Sequence, residues 1–153
     1  MRRSAAVVAL TTFAALAPAA DWPQWRGPDR TGVSQEKGLL QEWPEGGPKL
    51  AWKAEKFGTG YSSPVVVKGV VYTQTTRDGA EYAVALNEAD GKEKWATEIG
   101  KVGKNNGPQY PRTRSTPTAD GDHLYCLASD GELNCLTTAG KVVWHKNLAK
   151  EFD

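Results

Sequence analysis

The chain has 153 residues, a formal net charge of +1 and 24% charged side chains. Proteins that bind nucleic acids or anionic membranes concentrate positive charge, so a balance this close to neutral argues against both classes. No stretch after residue 19 has the roughly 20 consecutive apolar residues that a membrane-spanning helix needs.

The first 19 residues have the pattern of a secretory signal peptide. Arg2 and Arg3 precede an apolar run from Ala5 to Ala17, and Ala17-Pro18-Ala19 is a small-x-small cleavage site. The run is too short to span a bilayer, and no cysteine stands at the cleavage site to carry a lipid. We therefore expect residues 1–19 to be removed and the protein to be exported, to the periplasm or beyond the cell. A buried N-terminal helix is the alternative.

Residues 20–45 form a predicted docking segment. It opens with DWPQWRGPDRTGV, which brings Trp22 and Trp25 together with two prolines and two glycines. Chain termini are usually small and polar, so we expect the two rings to dock on the protein while the prolines hold the segment extended. The alternative is a ligand site built on these two rings.

The rest of the chain contains an internal repeat. The segments 62–100 and 115–148 both open with Ser-Ser/Thr-Pro, reach a tyrosine after a glycine, turn at Asp-Gly, turn again before a lysine and close on tryptophan. Tyr72 and Tyr125 are 53 residues apart, and Trp95 and Trp144 are 49 apart. Self-similarity at this period is typical of solenoids, arrays and propellers.

Each copy has the composition of short strands. VVVKGVVYTQ, YAVAL, KWATEI, HLYCLA, LNCL and KVVWHKN are rich in Val, Tyr, Trp and Thr, and are separated by glycine turns. No long run has a helical period of 3.6. Four short antiparallel strands per copy predict an all-β fold of propeller blades, with a sandwich as the alternative.

A third, partial copy lies at Gly46–Glu55, GGPKLAWKAE, and carries only the closing strand with its tryptophan, Trp52. We therefore expect residues 46–153 to make two complete blades plus one extra strand. In a closed ring, that strand completes the last blade and fastens the start of the chain to its end.

The closing motif also carries a family resemblance. Ala85-Leu-Asn-Glu-Ala-Asp-Gly91-Lys92-Glu-Lys-Trp95 resembles the tryptophan-docking motif A-x-D-x-x-T-G-K-x-x-W of pyrroloquinoline quinone (PQQ) type propeller repeats. Asn87 replaces the motif's Asp and Asp90 its Thr. The second copy, at Cys135–Trp144, is one residue shorter and matches only from Gly140 onward.

The opening of the chain extends the resemblance. Trp22, Trp25, Arg26, Gly27, Pro28, Arg30 and Gly32 fit the W-x-x-W-R-G-P-x-R-x-G pattern that precedes the first blade in secreted PQQ-like propeller proteins of planctomycete-type bacteria. Members of that group are much longer. The resemblance therefore implies that this chain is the N-terminal part of a larger propeller, with its remaining blades as partners.

The repeated tryptophans and glycines have predicted structural roles. The glycines at the turns supply positive φ, and the tryptophans fill the wedge between neighbouring blades. The residues with this blade-docking role are Trp52, Gly91, Trp95, Gly140 and Trp144. Stacking on a quinone is the alternative, but a cofactor needs one ring whereas blade packing needs one per blade.

A ligand site is harder to predict. GPQYPRTRSTP, residues 107–117, precedes the innermost strand of a blade, so Arg112, Arg114, Ser115 and Thr116 are candidate channel residues that suit an anion or a sugar. A solvated loop is the alternative. His123 and His145 lack any zinc-binding spacing, so we expect no metal site.

Cys126 and Cys135 are the only cysteines. A two-residue turn at Asp130-Gly131 would set them opposite each other, with Cα atoms about 4.5 Å apart in a non-hydrogen-bonded pair, at the short end of disulfide geometry. A three-residue turn would instead set Asn134 opposite Cys126 and leave two buried free thiols.

Three functions are compatible with these features. We favour a non-catalytic propeller that binds a protein or glycan partner and needs no cofactor. The first alternative is a dehydrogenase that uses PQQ and calcium to oxidise an alcohol or sugar, and the second is a scaffold in outer-membrane protein assembly, whose propeller repeats are similar. No catalytic residue is identified, and a fold does not dictate a function.

Overall fold

A computed structural model describes residues 20–103 and 112–152. The signal-peptide prediction falls on residues 1–19, outside these ranges. Within the described ranges most of the regular structure is strand, and no helix has the length and apolar character that crossing a membrane requires.

Two four-stranded antiparallel sheets follow one another along the chain. Blade 1 consists of β1 (Val65–Val67), β2 (Val70–Arg77), β3 (Ala80–Asn87) and β4 (Glu93–Lys101). Blade 2 consists of β5 (Thr118–Asp120), β6 (His123–Leu127), β7 (Glu132–Thr137) and β8 (Val142–Asn147), followed by the short helix α1 (Leu148–Glu151). In each blade the strands pair in chain order. The predicted all-β architecture of propeller blades is confirmed.

The turn between β2 and β3 has the predicted two residues. Arg77 pairs with Ala80, and Asp78 and Gly79 between them have φ values of 49° and 84°. Two consecutive positive φ values define the tight turn whose twist matches that of the flanking strands. The Asp-Gly sequence is therefore required by the backbone here.

The corresponding turn of blade 2 is longer, so of the two turn lengths considered for Asp130-Gly131 the structure has the three-residue one. The amide of Ala128 donates to the carbonyl of Glu132 at 2.9 Å, which leaves three residues in the turn. Gly131 is the last of these and has a φ of 89°. The Asp130 carboxylate accepts a hydrogen bond from the Lys101 amide of blade 1 at 2.7 Å, so a contact between the blades holds this turn.

The longer turn changes the cysteine register. Cys126 lies opposite Asn134, and Cys135 lies opposite Tyr125, so the two thiols point to opposite faces of the sheet. Both are free and buried. Of the two arrangements considered for the cysteines, the structure therefore has two buried free thiols and not the disulfide. Burial, and then the nearby Cys135 thiol, raise the pKa of Cys126 to about 12.

The main hydrophobic core lies between the two blades. Blade 1 contributes small and apolar side chains from all four of its strands, and blade 2 contributes a matching set. The buried members include Val65, Tyr72, Ala85, Ile99, Leu124, Cys126 and Leu136. Because neither sheet buries this face alone, each blade is stabilised by its neighbour.

The opposite face of blade 1 is covered by the segment 52–57. Trp52, Ala54 and Phe57 pack against a smaller buried cluster centred on Val71 and Val84. The extra strand expected at 46–55 does not form a ladder, because none of the described strands lies beside it to pair with it. The segment nevertheless takes the place of an outer strand against blade 1.

The start of the docking segment lies along the innermost strand of blade 1. Trp22 forms an isolated antiparallel bridge with Val66. Its ring lies against Gly27, where a Cβ atom would come within 2.7 Å of the indole. Trp25 is 61% exposed and lies beside the Arg26 guanidinium, 5.4 Å from the ring centroid. Of the two rings expected to dock, the structure therefore docks only Trp22.

Candidate functional site

The predicted blade-docking residues meet at the junctions between repeats. Trp95 of blade 1 donates its indole N–H to the carbonyl of Thr138 in blade 2 at 3.1 Å, and its ring lies against Gly140. Trp52 donates in the same way to the carbonyl of Glu88 at 2.7 Å and lies against Gly91.

Trp144 has no described blade beyond it. Its side chain is 40% exposed, although it keeps the same partner within its own blade. Tyr125 lies 6.2 Å from Trp144, centroid to centroid, as Tyr72 lies 6.0 Å from Trp95. Each blade therefore contains this aromatic pair, whether or not a described blade lies beyond it.

The predicted channel residues do not come together in one site. Arg112 is exposed, has a φ of 82° and donates to the hydroxyl of Thr59 in a cavity of about 340 Å³. Arg114 and Ser115 line another cavity, of about 320 Å³, and Thr116 lines neither. The two guanidinium groups thus face different spaces.

A larger cleft opens between the blades, on the side that carries the β2–β3 and β6–β7 turns. It has a volume of about 920 Å³ and lies between the end of β4 and the turn that follows β6. Two backbone groups of β4 are bonded here by side chains of blade 2. Asp130 accepts from the Lys101 amide at 2.7 Å, and Asn134 donates to the Ile99 carbonyl at 2.7 Å. We call this space the interblade cleft.

The carboxylate of Glu132 lies in the wall of the interblade cleft. Asn147 donates to it at 2.8 Å, and the Nδ1 atom of His145 lies 3.3 Å away. These contacts lower the pKa of Glu132, chiefly through the hydrogen bond from Asn147. Asn147 also accepts from the Lys150 amide at the start of α1. The group is therefore held in a fixed position at the surface.

A second carboxylate, Glu81, is buried between the blades with none of its surface exposed. It accepts from the Ser129 amide at 2.9 Å and from the Ser129 hydroxyl at 2.6 Å. This buried contact between Glu81 and Ser129 was not predicted from the sequence. Its signal was a glutamate at the start of the apolar strand AEYAVALN.

The first repeat provides an internal comparison for the interblade cleft. Counting from the matched tyrosines and tryptophans, Arg77 and Glu93 of blade 1 correspond to Asp130 and Val142 of blade 2. Arg77 pairs with Glu93 at 2.6 Å and donates to the Phe57 carbonyl at 3.0 Å. The wedge between residues 52–57 and blade 1 therefore holds a cavity of only about 390 Å³, whereas the interblade cleft has about 920 Å³.

Comparison with known proteins agrees with this repeat architecture. The family model described as outer membrane protein assembly factor BamB matches residues 27–153. The chain belongs to this family. A search of curated proteins found no match.

One of three similar solved structures, the first named here, supports the same fold. The BamB-family chain is similar to the quinohemoprotein alcohol dehydrogenase of Comamonas testosteroni, with 22% identity, a TM-score of 0.57 and coverage of 83% of this chain and 19% of the other. BamB from Moraxella catarrhalis matches with 17% identity, a TM-score of 0.48 and coverage of 65% and 28%. A europium-containing methanol dehydrogenase matches with 18% identity, a TM-score of 0.49 and coverage of 65% and 18%. The BamB-family chain thus spans less than a third of each of these proteins.

The described residues of this BamB-family chain do not bring the groups that we expect of a quinone site into one cavity. An anionic quinone needs converging cations and a stacking ring in one cavity. Here Arg112 and Arg114 line separate cavities, and Trp52 and Trp95 pack against glycines of the next repeat. In residues 20–103 and 112–152, no three His, Cys, Asp or Glu side chains are grouped to hold a metal ion.

Proposed function

We propose that this chain is part of an exported, non-catalytic β-propeller that acts as a scaffold for a protein partner. The observation that carries the proposal is the contrast between the two wedges. Arg77 and Phe57 narrow the wedge before blade 1, whereas the interblade cleft is larger and has charged side chains in its lining.

The cleft suits a polar segment of another protein. It combines fixed acceptors, such as Glu132, with the exposed cations Lys101 and Lys150 and the imidazole of His145. Groups of both signs at a rim give orientation and partner choice more than raw affinity. Membership of a family named for an assembly factor supports a protein partner over a glycan.

The predicted signal peptide supports the same role. The charged, apolar and small-residue parts of residues 1–19 are those of a signal peptide, and we propose that the scaffold acts in the periplasm or outside the cell. The W-x-x-W-R-G-P opening supports a place among the planctomycete-type secreted propellers.

Site-specific photo-crosslinking in the cell that makes the protein tests the partner. A photoreactive residue replaces His145 in the cleft or, as the matched control, Lys92, whose side chain is 83% exposed on the turn between β3 and β4 at the opposite end of the blade. We expect a discrete protein adduct with the photoreactive group at residue 145 and also with the group at residue 101. The adduct at residue 101 should be lost when His145→Glu and Lys150→Glu are introduced. Adducts of equal yield at residue 92 would contradict the proposed surface. A sugar bound without any protein adduct would make the partner a glycan.

The absence of a catalytic role is tested separately. The full-length protein is titrated with PQQ and calcium while quinone absorbance and dye-linked alcohol oxidation are followed. We expect neither stoichiometric binding nor turnover. Stoichiometric binding that disappears in an Arg112→Ala and Arg114→Ala variant would establish the dehydrogenase alternative.

A further inference from the structure

The innermost strands of the two blades present equivalent backbone groups to the same space. β1 and β5 each have one neighbour within their sheets, so one edge of each is free of strand pairing. Val66 on β1 corresponds to Ala119 on β5, because the two residues are 53 positions apart, which is the spacing of the matched residues Tyr72 and Tyr125. An unpaired strand edge is a ready template for another extended segment.

The docking segment occupies both edges at once. The amide of Trp22 donates to the Val66 carbonyl at 2.7 Å, and the amide of Val66 donates to the Trp22 carbonyl at 3.0 Å. One residue further on, the carbonyl of Pro23 accepts from the amide of Ala119 at 2.8 Å. A single extended dipeptide therefore joins the inner edges of two consecutive blades.

Side chains fix which tripeptide lies there. Asp21 accepts from the amide of Lys68 at 2.9 Å, in the turn that follows β1. The Trp22 ring packs against Gly27 of the docking segment itself, so it holds the shape of that segment. Pro23 has no N–H, so its position presents an acceptor to Ala119 without leaving a donor unpaired, and its fixed φ favours the extended backbone.

We infer that the inner edges of β1 and β5 form a strand-addition site for an acidic–aromatic–proline tripeptide, and that Asp21-Trp22-Pro23 is the ligand of this site carried in cis. Main-chain hydrogen bonds supply affinity in this mode of recognition, and the flanking side chains supply specificity. The site is separate from the interblade cleft and does not depend on the proposed scaffold role.

Hydrogen exchange on the full chain tests occupancy. We expect the amides of Val66 and Ala119 to be protected in the wild-type protein. In a variant with Asp21→Ala, Trp22→Gly and Pro23→Gly, exchange at both amides should accelerate by at least about tenfold, because protection follows the free energy of local opening. The amide of Val84, in the middle of blade 1, should keep its rate. Unprotected Val66 and Ala119 amides in the wild type would overturn the inference.

A peptide added in trans tests recognition. The probe is a synthetic peptide with the sequence of residues 20–32, ADWPQWRGPDRTG. It should bind the triple variant with 1:1 stoichiometry and restore protection at Val66 and Ala119, while the occupied wild-type protein should not bind it. The Asp21→Ala peptide should bind about tenfold more weakly, as expected for one hydrogen bond to a charged group. Failure to bind the folded triple variant, or equal binding to the wild type, would overturn the inference.

A milder variant keeps the test available if the triple variant does not fold. Asp21→Ala in the full chain should raise the exchange rate of the Lys68 amide at least about fivefold, because its acceptor is lost. Exchange at Lys68 that stays unchanged would show that Asp21 does not hold this site.

Discussion

The indole of Trp95 lies against Gly140 of the next blade, at a position where a Cβ atom would come within 2.6 Å of the ring. The same indole donates to the carbonyl of Thr138. One residue thus fills the wedge and hydrogen-bonds the neighbouring turn. The first prediction compares this tryptophan with Trp144, which has the same place in its own blade but no described blade against it.

Trp95→Ala should destabilise the protein by about 3 kcal/mol, because it removes a large ring from between two blades. In the 153-residue chain, Trp144→Ala should cost less than this, because the Trp144 ring is 40% exposed and no described blade packs against it. Urea unfolding of the two variants and the wild type measures both values. Equal losses at the two positions would mean that the ring stabilises its own blade instead of the junction.

The second prediction concerns Gly140. Gly121 also has a positive φ, 57°, but an added Cβ would meet nothing within 4 Å. Gly121→Ala should therefore carry only the backbone cost of a left-handed residue, about 1 kcal/mol. Gly140→Ala should cost clearly more and should also change the fluorescence of Trp95. Equal urea midpoints for the two alanine variants would contradict the close approach of ring and backbone.

The third prediction concerns the cysteines. Burial holds the pKa of Cys126 at about 12, so the folded protein has little reactive thiolate at this position at pH 8. We expect slow alkylation in the native protein and two alkyl groups per chain after unfolding without reductant. A chain that takes up no alkyl group until a reductant is added contains the disulfide after all.

The fourth prediction is a pH dependence. The pKa of Glu132 in the folded protein lies below the ordinary value of a glutamate, chiefly because of the hydrogen bond from Asn147. Its stabilising effect is therefore present above that ordinary value and is lost as the pH falls through the lowered pKa. Glu132→Gln should therefore lower the urea midpoint at pH 7, and the difference from the wild type should shrink toward pH 3. Glu45→Gln, at an exposed position of the N-terminal segment, serves as the control and should show no such change. A constant difference across this range would rule out the carboxylate as its source.

The fifth prediction concerns processing. The amide nitrogen of Ala20 lies 2.9 Å from a carboxylate oxygen of Glu36. Cleavage after Ala19 would turn this nitrogen into an ammonium group that already faces a carboxylate, although an exposed pair of this kind adds little stability. The intact mass of the exported protein should correspond to a chain that begins at Ala20. A mass that includes residues 1–19 would show that they are retained.

The sequence was sufficient for the local structure of the blades. The Asp78-Gly79 turn was predictable because two positive φ values demand such residues. The Asp130-Gly131 turn has the same dipeptide but a different length, since Asp130 is bonded to Lys101 of the other blade. A long-range contact of this kind leaves no trace in the local pattern.

The candidate site was predictable only in part. Arg112 and Arg114 were predicted as site residues because they are charged and lie between the repeats. In the structure they line separate cavities. Residues of the interblade cleft can be recognised by comparing the two blades strand by strand. Glu132 and Asn134 occupy the positions that Tyr82 and Val84 have in blade 1. Differences between repeats therefore carried more information about the site than the features they share.

The bonds from Asp130 and Asn134 to the backbone of β4 have a consequence for the order of events during synthesis. The groups that complete blade 1 lie in the turn after β6 and on β7, roughly 30 residues after β4, so they become available only after β4 in a chain that emerges N-terminus first. During that interval β4 is an exposed edge that other chains can join. Several residues of β4 are charged, among them Lys94 and Glu98. Vectorial folding of such a protein therefore leaves one open strand at a time exposed to pairing with other chains.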